Sequence, residues 1–174
     1  GFYSITKRAA EQLLISYAET WGFKYRILRL GNVIGVGDKK ISRKKNALQH
    51  IIRELAQGRD VDYLYKQGAI RDYIDVRDCV DAIHLVLEKG ELNQIYNIAN
   101  GQGLNVNDLV QVAWRESGYK SKITEIDVPD FHKTVQTSAM YLDTKKLKSL
   151  GYVQKHDIKE SVRELVQHYA NEER

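Results

Sequence analysis

From Tyr3 to Trp21 apolar residues recur at helical spacing (Ala10, Leu13, Leu14, Tyr17, Ala18, Trp21), and Gly22 closes the run. Tyr25–Leu30 then reads as a strand ending at Gly31-Asn32, and Val33-Ile34-Gly35-Val36-Gly37-Asp38 follows as a glycine-punctuated loop. Glycines there let a ligand come close to backbone. A helix that feeds a buried strand and a ligand-type loop is the repeating unit of α/β folds. In those folds ligands bind beyond the carboxyl ends of the strands.

The remaining chain keeps the alternation. Leu48, Ile51, Ile52 and Leu55 place an apolar stripe on a helix over 46–57, stopped by Gly58, and Val61–Tyr65 reads as a short strand. Residues 71–78 start strand-like. A third helix runs through Val80, Ile83 and Leu87 to Gly90, with Asp78 as its cap and Cys79 packed in the core. Gln94–Ala99 is a further strand, closed by the Asn100-Gly101 turn. Asn107 is placed to cap a helix reaching Glu116, which Gly118 ends. Residues 122–128 read as a strand before Pro129, and 143–150 as a short helix. Asp157 and Glu160 form a capping box for a last helix, Ile158–Tyr169.

Composition narrows the function classes. With 174 residues, 43% hydrophobic and 29% charged, the chain has material for a real core and no apolar run that spans a bilayer. The single cysteine, Cys79, cannot form an internal disulfide, so a reducing cytoplasm is expected. The five histidines show no metal-ligand spacing, and no metal is expected. Net charge is only +4. Its one dense cluster, residues 39–45, has no interleaved aromatics, so nucleic acid is not an expected partner. Such a run is a solvated loop or a device that steers a small anion. The chain opens Gly-Phe-Tyr, without Met and already inside a helix, which suggests a piece of a longer protein.

Tyr3 and Lys7 carry the most specific chemistry. Four residues apart on a helix, they share a face one turn apart. A free phenol has a pKa of roughly 10, and a neighbouring ammonium favours the phenolate. A tyrosine tuned in this way can exchange a proton near neutral pH. Taken alone, the pair is equally a buried aromatic and a solvated lysine.

Four stretches together give the pair a context: Tyr3-Ser-Ile-Thr-Lys7, Arg29-Leu-Gly-Asn32-Val-Ile-Gly35, Arg71-Asp72-Tyr-Ile-Asp-Val-Arg-Asp78, and Tyr96-Asn97-Ile98-Ala99-Asn100-Gly101. In this order the chain resembles the extended short-chain dehydrogenase/reductases, specifically the nucleotide-sugar epimerases and dehydratases. Tyr141-Leu-Asp143, Lys146-Leu147 and Leu150-Gly151-Tyr152 are similar to that family's tail. The resemblance covers the family's C-terminal half. The glycine-rich dinucleotide turn and the catalytic Ser or Thr that members carry upstream of the tyrosine are not in this sequence.

The resemblance implies an α/β fold: the C-terminal part of a Rossmann-type doubly wound sheet plus a small α/β substrate-binding domain, with the N-terminal Rossmann half missing. Residues 1–60 would be late elements of the dinucleotide-binding domain, and 61–174 mainly the substrate domain, interleaved with late Rossmann elements. It implies NAD, or NADP, as cofactor and a nucleoside-diphosphate sugar as substrate. Tyr3 would be the general base on the sugar 4-hydroxyl. Lys7 would tune it and hold the nicotinamide ribose, and Val33 would meet the nicotinamide end. Asn32 would donate to a sugar or phosphate oxygen, and Arg71 would clamp the diphosphate. Epimerase activity is the leading expectation, with 4,6-dehydratase or decarboxylase as the alternative in the family and a non-catalytic nucleotide sensor as one outside it. The 174 residues alone are expected to be inactive. The segment Phe131–Gln136 lacks the arginine-rich pattern many members place on the nucleotide. A homodimer is expected through the Tyr3 helix and the helix over 46–57.

Overall fold

The strand anticipated at Tyr25–Leu30 forms as β1 (Arg26–Leu30), which pairs in parallel with β6 (Gln94–Ile98), Arg26 opposite Gln94 and Leu30 opposite Ile98. A computed structural model describes residues 2–38, 41–42, 45–63, 69–125 and 139–172. Before β1 runs α1 (Phe2–Trp21); after it come β2 (Asn32–Ile34) and α2 (Ala47–Ala56). Then follow β3 (Val61–Tyr63), β4 (Ile70–Arg71), β5 (Tyr73–Asp75), α3 (Val76–Lys89) and β6. The chain continues through β7 (Leu104–Asn105), α4 (Val106–Glu116), β8 (Ile123–Glu125), β9 (Ala139–Met140), α5 (Lys145–Ser149) and α6 (Ile158–Ala170). Parallel pairing dominates: β2 with β5, β3 with β8, and β4 with β9; β4 and β7 are antiparallel.

Two cores follow. One gathers the inner faces of α2, α4 and α6, with Ile52, Leu55, Leu109, Val110, Val162 and Leu165 fully buried. The other sits under β1 and β6, where Ile74, Cys79, Ala82, Val86, Ile98 and Leu147 meet. Cys79 packs there as expected, and burial pushes its thiol pKa up.

Several sequence expectations are corrected. Val33 and Ile34, read as loop, join Asn32 in β2 because β5 supplies ladder partners, Val33 opposite Ile74 and Ile34 opposite Asp75. The buried face of α3 is Cys79, Ala82 and Val86, while Val80 and Leu87 stand 59% and 58% exposed. Both stripes have helical spacing, but the smaller side chains let α3 lie close to the sheet. Asp75, not Asp78, caps α3, accepting from the Arg77 amide at 2.8 Å, because β5 runs straight into the helix. Asp78 is instead fully buried, accepts from the His156 amide at 3.0 Å and lies 2.8 Å from His156 Nδ1. Asn105, not Asn107, caps α4, since pairing with β4 leaves residue 105 extended as a cap requires. The apolar face of α2 is covered by α4 and α6 within the chain, so it is not available to pair with a second copy. Asp157 caps α6 through the Lys159 and Glu160 amides, as its motif requires. Residues 126–138, including Phe131–Gln136, and Lys39, Lys40, Arg43 and Lys44 of the basic cluster lie outside the described residues. Among the described residues no helix is long and apolar enough to cross a membrane.

Candidate functional site

Gly31 carries the chain from β1 into β2, its amide donating to the Ile98 carbonyl at 2.9 Å. Asn32 is then held twice by one acceptor. Its backbone N–H and its Nδ2 donate to the Asp72 carbonyl at 3.1 and 2.9 Å. Its side-chain oxygen and second N–H remain for a ligand. Arg71 stands next to Asp72, at the end of β4, with Nη1 donating to the Ile70 carbonyl at 2.7 Å.

Asp72 is the strut of this corner. Its buried carboxylate accepts from the amides of Asn100 (3.2 Å), Gly101 (3.0 Å) and Leu142 (3.1 Å). Burial raises its pKa and outweighs the lowering by those three donors. Asn100 extends the network, donating to the Tyr73 carbonyl at 2.8 Å and accepting from the Tyr152 hydroxyl at 2.9 Å. Burial pushes the Tyr152 phenol up as well.

Asn32 and Arg71 line one cavity of about 190 Å³, together with Tyr73, Asn46 and Ala47. Asn46 and Ala47 form the amino end of α2. Asn46 is left-handed (φ 57°) and makes no side-chain cap; its Nδ2 donates to the Val33 carbonyl (3.3 Å) and to Gln49 Oε1 (2.9 Å). The first N–H groups of α2 are therefore left without a capping side chain where Arg71 lines the same cavity. A helix amino end beside an arginine suits an anion. The sequence reading missed this element. An asparagine just before an amphipathic stripe was a visible signal, but of a cap.

Tyr3, Lys7 and Val33 do not line that cavity. Tyr3 is 76% exposed on α1, and Lys7 Nζ stands 5.6 Å from the centre of its ring. Of α1 only Ala18 is buried. Glu11 ties the helix to β1 through a two-pronged pair with Arg29 at 2.8 and 2.5 Å. That pairing holds the Glu11 carboxyl below the usual range. Val33 is half-buried in β2 opposite Ile74.

Just past it, Gly35 has φ +153°, and an added Cβ would fall 2.3 Å from Val76 Cγ1 at the start of α3. Gly35→Ala is expected to destabilise the chain by about 2 kcal/mol. Urea unfolding checks this, an unchanged midpoint contradicting the close approach.

Comparison with known proteins gives the arrangement its relatives. The model of the NAD dependent epimerase/dehydratase family matches residues 1–99. The dTDP-6-deoxy-L-talose 4-dehydrogenase (NAD(P)(+)) of Kitasatospora kifunensis is 30% identical over 165 residues, 94% of this chain and 52% of that protein. The UDP-glucose 4-epimerase of Thermotoga maritima, solved with UDP-glucose, superposes with a TM-score of 0.80 at 26% identity, covering 96% of this chain and 52% of the other. The Thermus thermophilus UDP-glucose 4-epimerase, in complex with NAD, superposes at 0.84 with 24% identity over 97% of this chain and 54% of its own. This last likeness is one of fold. The chain thus spans about half the length of the relatives it matches.

The family is NAD(P)-dependent. Tyr3 and Lys7 are exposed on α1, whereas the close approach at Gly35 is filled by Val76 of the chain itself, and no glycine-rich turn for a pyrophosphate occurs in the sequence. From the matched segment, which runs from α1 through β6, this chain belongs to the NAD dependent epimerase/dehydratase family.

Proposed function

We propose that the chain is the sugar-nucleotide-binding and proton-transferring part of an NAD-dependent nucleotide-sugar 4-epimerase. The observation that carries the reading is the convergence of Asn32, Arg71 and the uncapped amino end of α2 on one cavity. That cavity takes the diphosphate. The planar fork of Arg71 pairs with two phosphate oxygens, helix N–H groups meet others, and Asn32 bonds a sugar or phosphate oxygen.

When bound, the nicotinamide supplies a hydride acceptor for the sugar C4. The chain's residues do the rest. Tyr3, as phenolate, takes the proton of the 4-hydroxyl and returns it after the sugar has turned over. Lys7, one helical turn away with its Nζ 5.6 Å from the Tyr3 ring centre, reaches the nicotinamide ribose with its ammonium. Val33 lies beside the nicotinamide end.

In this reading residues 1–60 contribute late elements of the dinucleotide-binding part and 61–174 mainly the sugar-nucleotide part. Turnover requires a dinucleotide-binding half to complete the cleft, so the 174 residues by themselves are inactive. A homodimer forms through the exposed apolar stripe of α1, where Tyr17 and Trp21 are 60% and 74% exposed. The cytoplasm is its compartment, in keeping with one buried free cysteine.

Titration of the chain with UDP tests the cavity. Arg71→Ala is expected to weaken binding by about 2 kcal/mol, roughly thirtyfold in Kd. Equal affinities would remove Arg71 from the site. With the dinucleotide half supplied, incubation with UDP-, dTDP-, GDP- and CDP-sugars should yield 4-epimers. A 4-keto-6-deoxy product would make the protein a dehydratase instead.

A further inference from the structure

Gln49 is the polar member of the buried face of α2, 1% exposed beside Leu48, Ile52 and Leu55. A primary amide in that position costs more to bury than leucine unless each of its polar groups is matched. Here all are. Nε2 donates to the Gly35 carbonyl at 2.8 Å and to the Tyr169 hydroxyl at 2.6 Å. Oε1 accepts from Asn46 Nδ2 at 2.9 Å and from the Gly35 amide at 3.4 Å. Two donors and two acceptor sites are the full capacity of the group.

The pairing with Gly35 copies a strand ladder. Both the N–H and the C=O of Gly35 are engaged, at the point where β2 stops opposite Asp75 and β5 turns into α3. Among the described residues the ladder stops at Ile34, and the side-chain amide takes the place of a strand partner. Through Asn46 the same amide holds the left-handed start of α2, and Asn46 also grips the Val33 carbonyl.

We infer that Gln49 is a positioning residue for the ligand-facing surface. One buried amide sets both the backbone just past Val33 and the uncapped amino end of α2, and Tyr169 on α6 orients that amide. It acts through Gly35 and Asn46 and touches no ligand itself. The inference rests on the reading of the Asn32–Arg71 cavity as a diphosphate site. An apolar side chain of equal size would preserve the core packing. It would also release Asn46 to leave the left-handed region and cap α2 with its own side chain, closing the helix end to an anion.

Gln49→Met makes that exchange of amide for apolar atoms at nearly constant volume. In the ligand-free chain, hydrogen exchange at the Gly35 amide is expected to rise at least tenfold. With UDP as probe, Kd is expected to rise about tenfold through lost preorganisation, while the melting midpoint moves by only a few degrees. Tyr169→Phe keeps the ring, removes one acceptor of the amide, and should move both readouts less and in the same direction. It carries the test alone if the methionine variant does not fold. Unchanged Gly35 exchange overturns the proposal, as does unchanged UDP affinity where Arg71→Ala has weakened it. Faster Gly35 exchange in a chain whose wild type shows no UDP binding overturns the diphosphate reading and leaves the hold of Gln49 on the loop in place.

Discussion

Tyr3→Phe, made with the dinucleotide half present, is expected to lower turnover about a thousandfold, within the range that a positioned acid–base group contributes. The substitution removes one hydroxyl from a side chain that is 76% exposed on α1, so folding should not change. UDP affinity should also stay the same, because Tyr3 does not line the cavity that holds Asn32 and Arg71. Loss of rate without loss of binding is therefore the signature to measure, by steady-state kinetics beside a UDP titration. Full turnover in the phenylalanine variant would end the acid–base assignment. Lys7→Met should act in the same direction by a smaller factor, since it removes the cation beside the Tyr3 ring.

Asp75 carries the largest expected effect on stability. It caps α3, receives the Arg77 guanidinium at 2.8 and 2.9 Å, and accepts from the Ser161 hydroxyl at 2.7 Å. Arg77 also reaches Glu164 at 2.7 Å, so the cluster fastens the start of α3 to α6. Burial alone would raise the Asp75 carboxyl. The Arg77 side chain, the Ser161 hydroxyl and the Arg77 amide overcome it and hold the pKa at about 2, against an ordinary 3.8. A carboxyl depressed in the native state binds its proton first in the unfolded chain. Its contribution is therefore complete above about pH 4 and lost as the pH falls toward 2, a change of about 2 kcal/mol. Asp75→Ala, which also removes the cap and the buried one of the two carboxylates that hold Arg77, should cost about 3 kcal/mol at neutral pH. It should also flatten the acid limb of the stability curve. Urea midpoints measured from pH 7 down to pH 2 decide this. A variant with the parent's acid profile would show that other carboxylates govern it.

Much of the scaffold was legible along the chain. The strand at residues 26–30, the helix stripe of Leu48, Ile52 and Leu55, and the Asp157 cap of α6 depend on neighbours within a few positions, and each formed as read. The errors lie where two local answers competed. On α3, Val80 and Leu87 form as good a stripe as Cys79, Ala82 and Val86, and only the approach to β1 and β6 chose the smaller set. Asn105 and Asn107 are both capping residues. The strand pairing of 104–105 with β4 chose the first. Asp75 prevailed over Asp78 for the same reason, an extended residue at the end of a paired strand.

In the candidate site, Asn32 and Arg71 could be named from their motifs, but nothing local says that they share a cavity. Gln49 left no trace at all. On a helical wheel it is a polar residue on an apolar face, and its partner Tyr169 lies 120 residues away.

The sequence by itself determined the periodic elements, most helix ends, the Tyr3–Lys7 spacing and the motifs that carry the family, because these are short-range properties of covalent neighbours. Tertiary structure alone decided which faces are buried, why Asn46 is left-handed, and how Asp72 draws residues 100, 101 and 142 around one carboxylate. The Asp72 and Gln49 networks arise from desolvated polar groups finding partners 28 to 120 positions apart. Such partners are selected only when the whole chain has closed on itself.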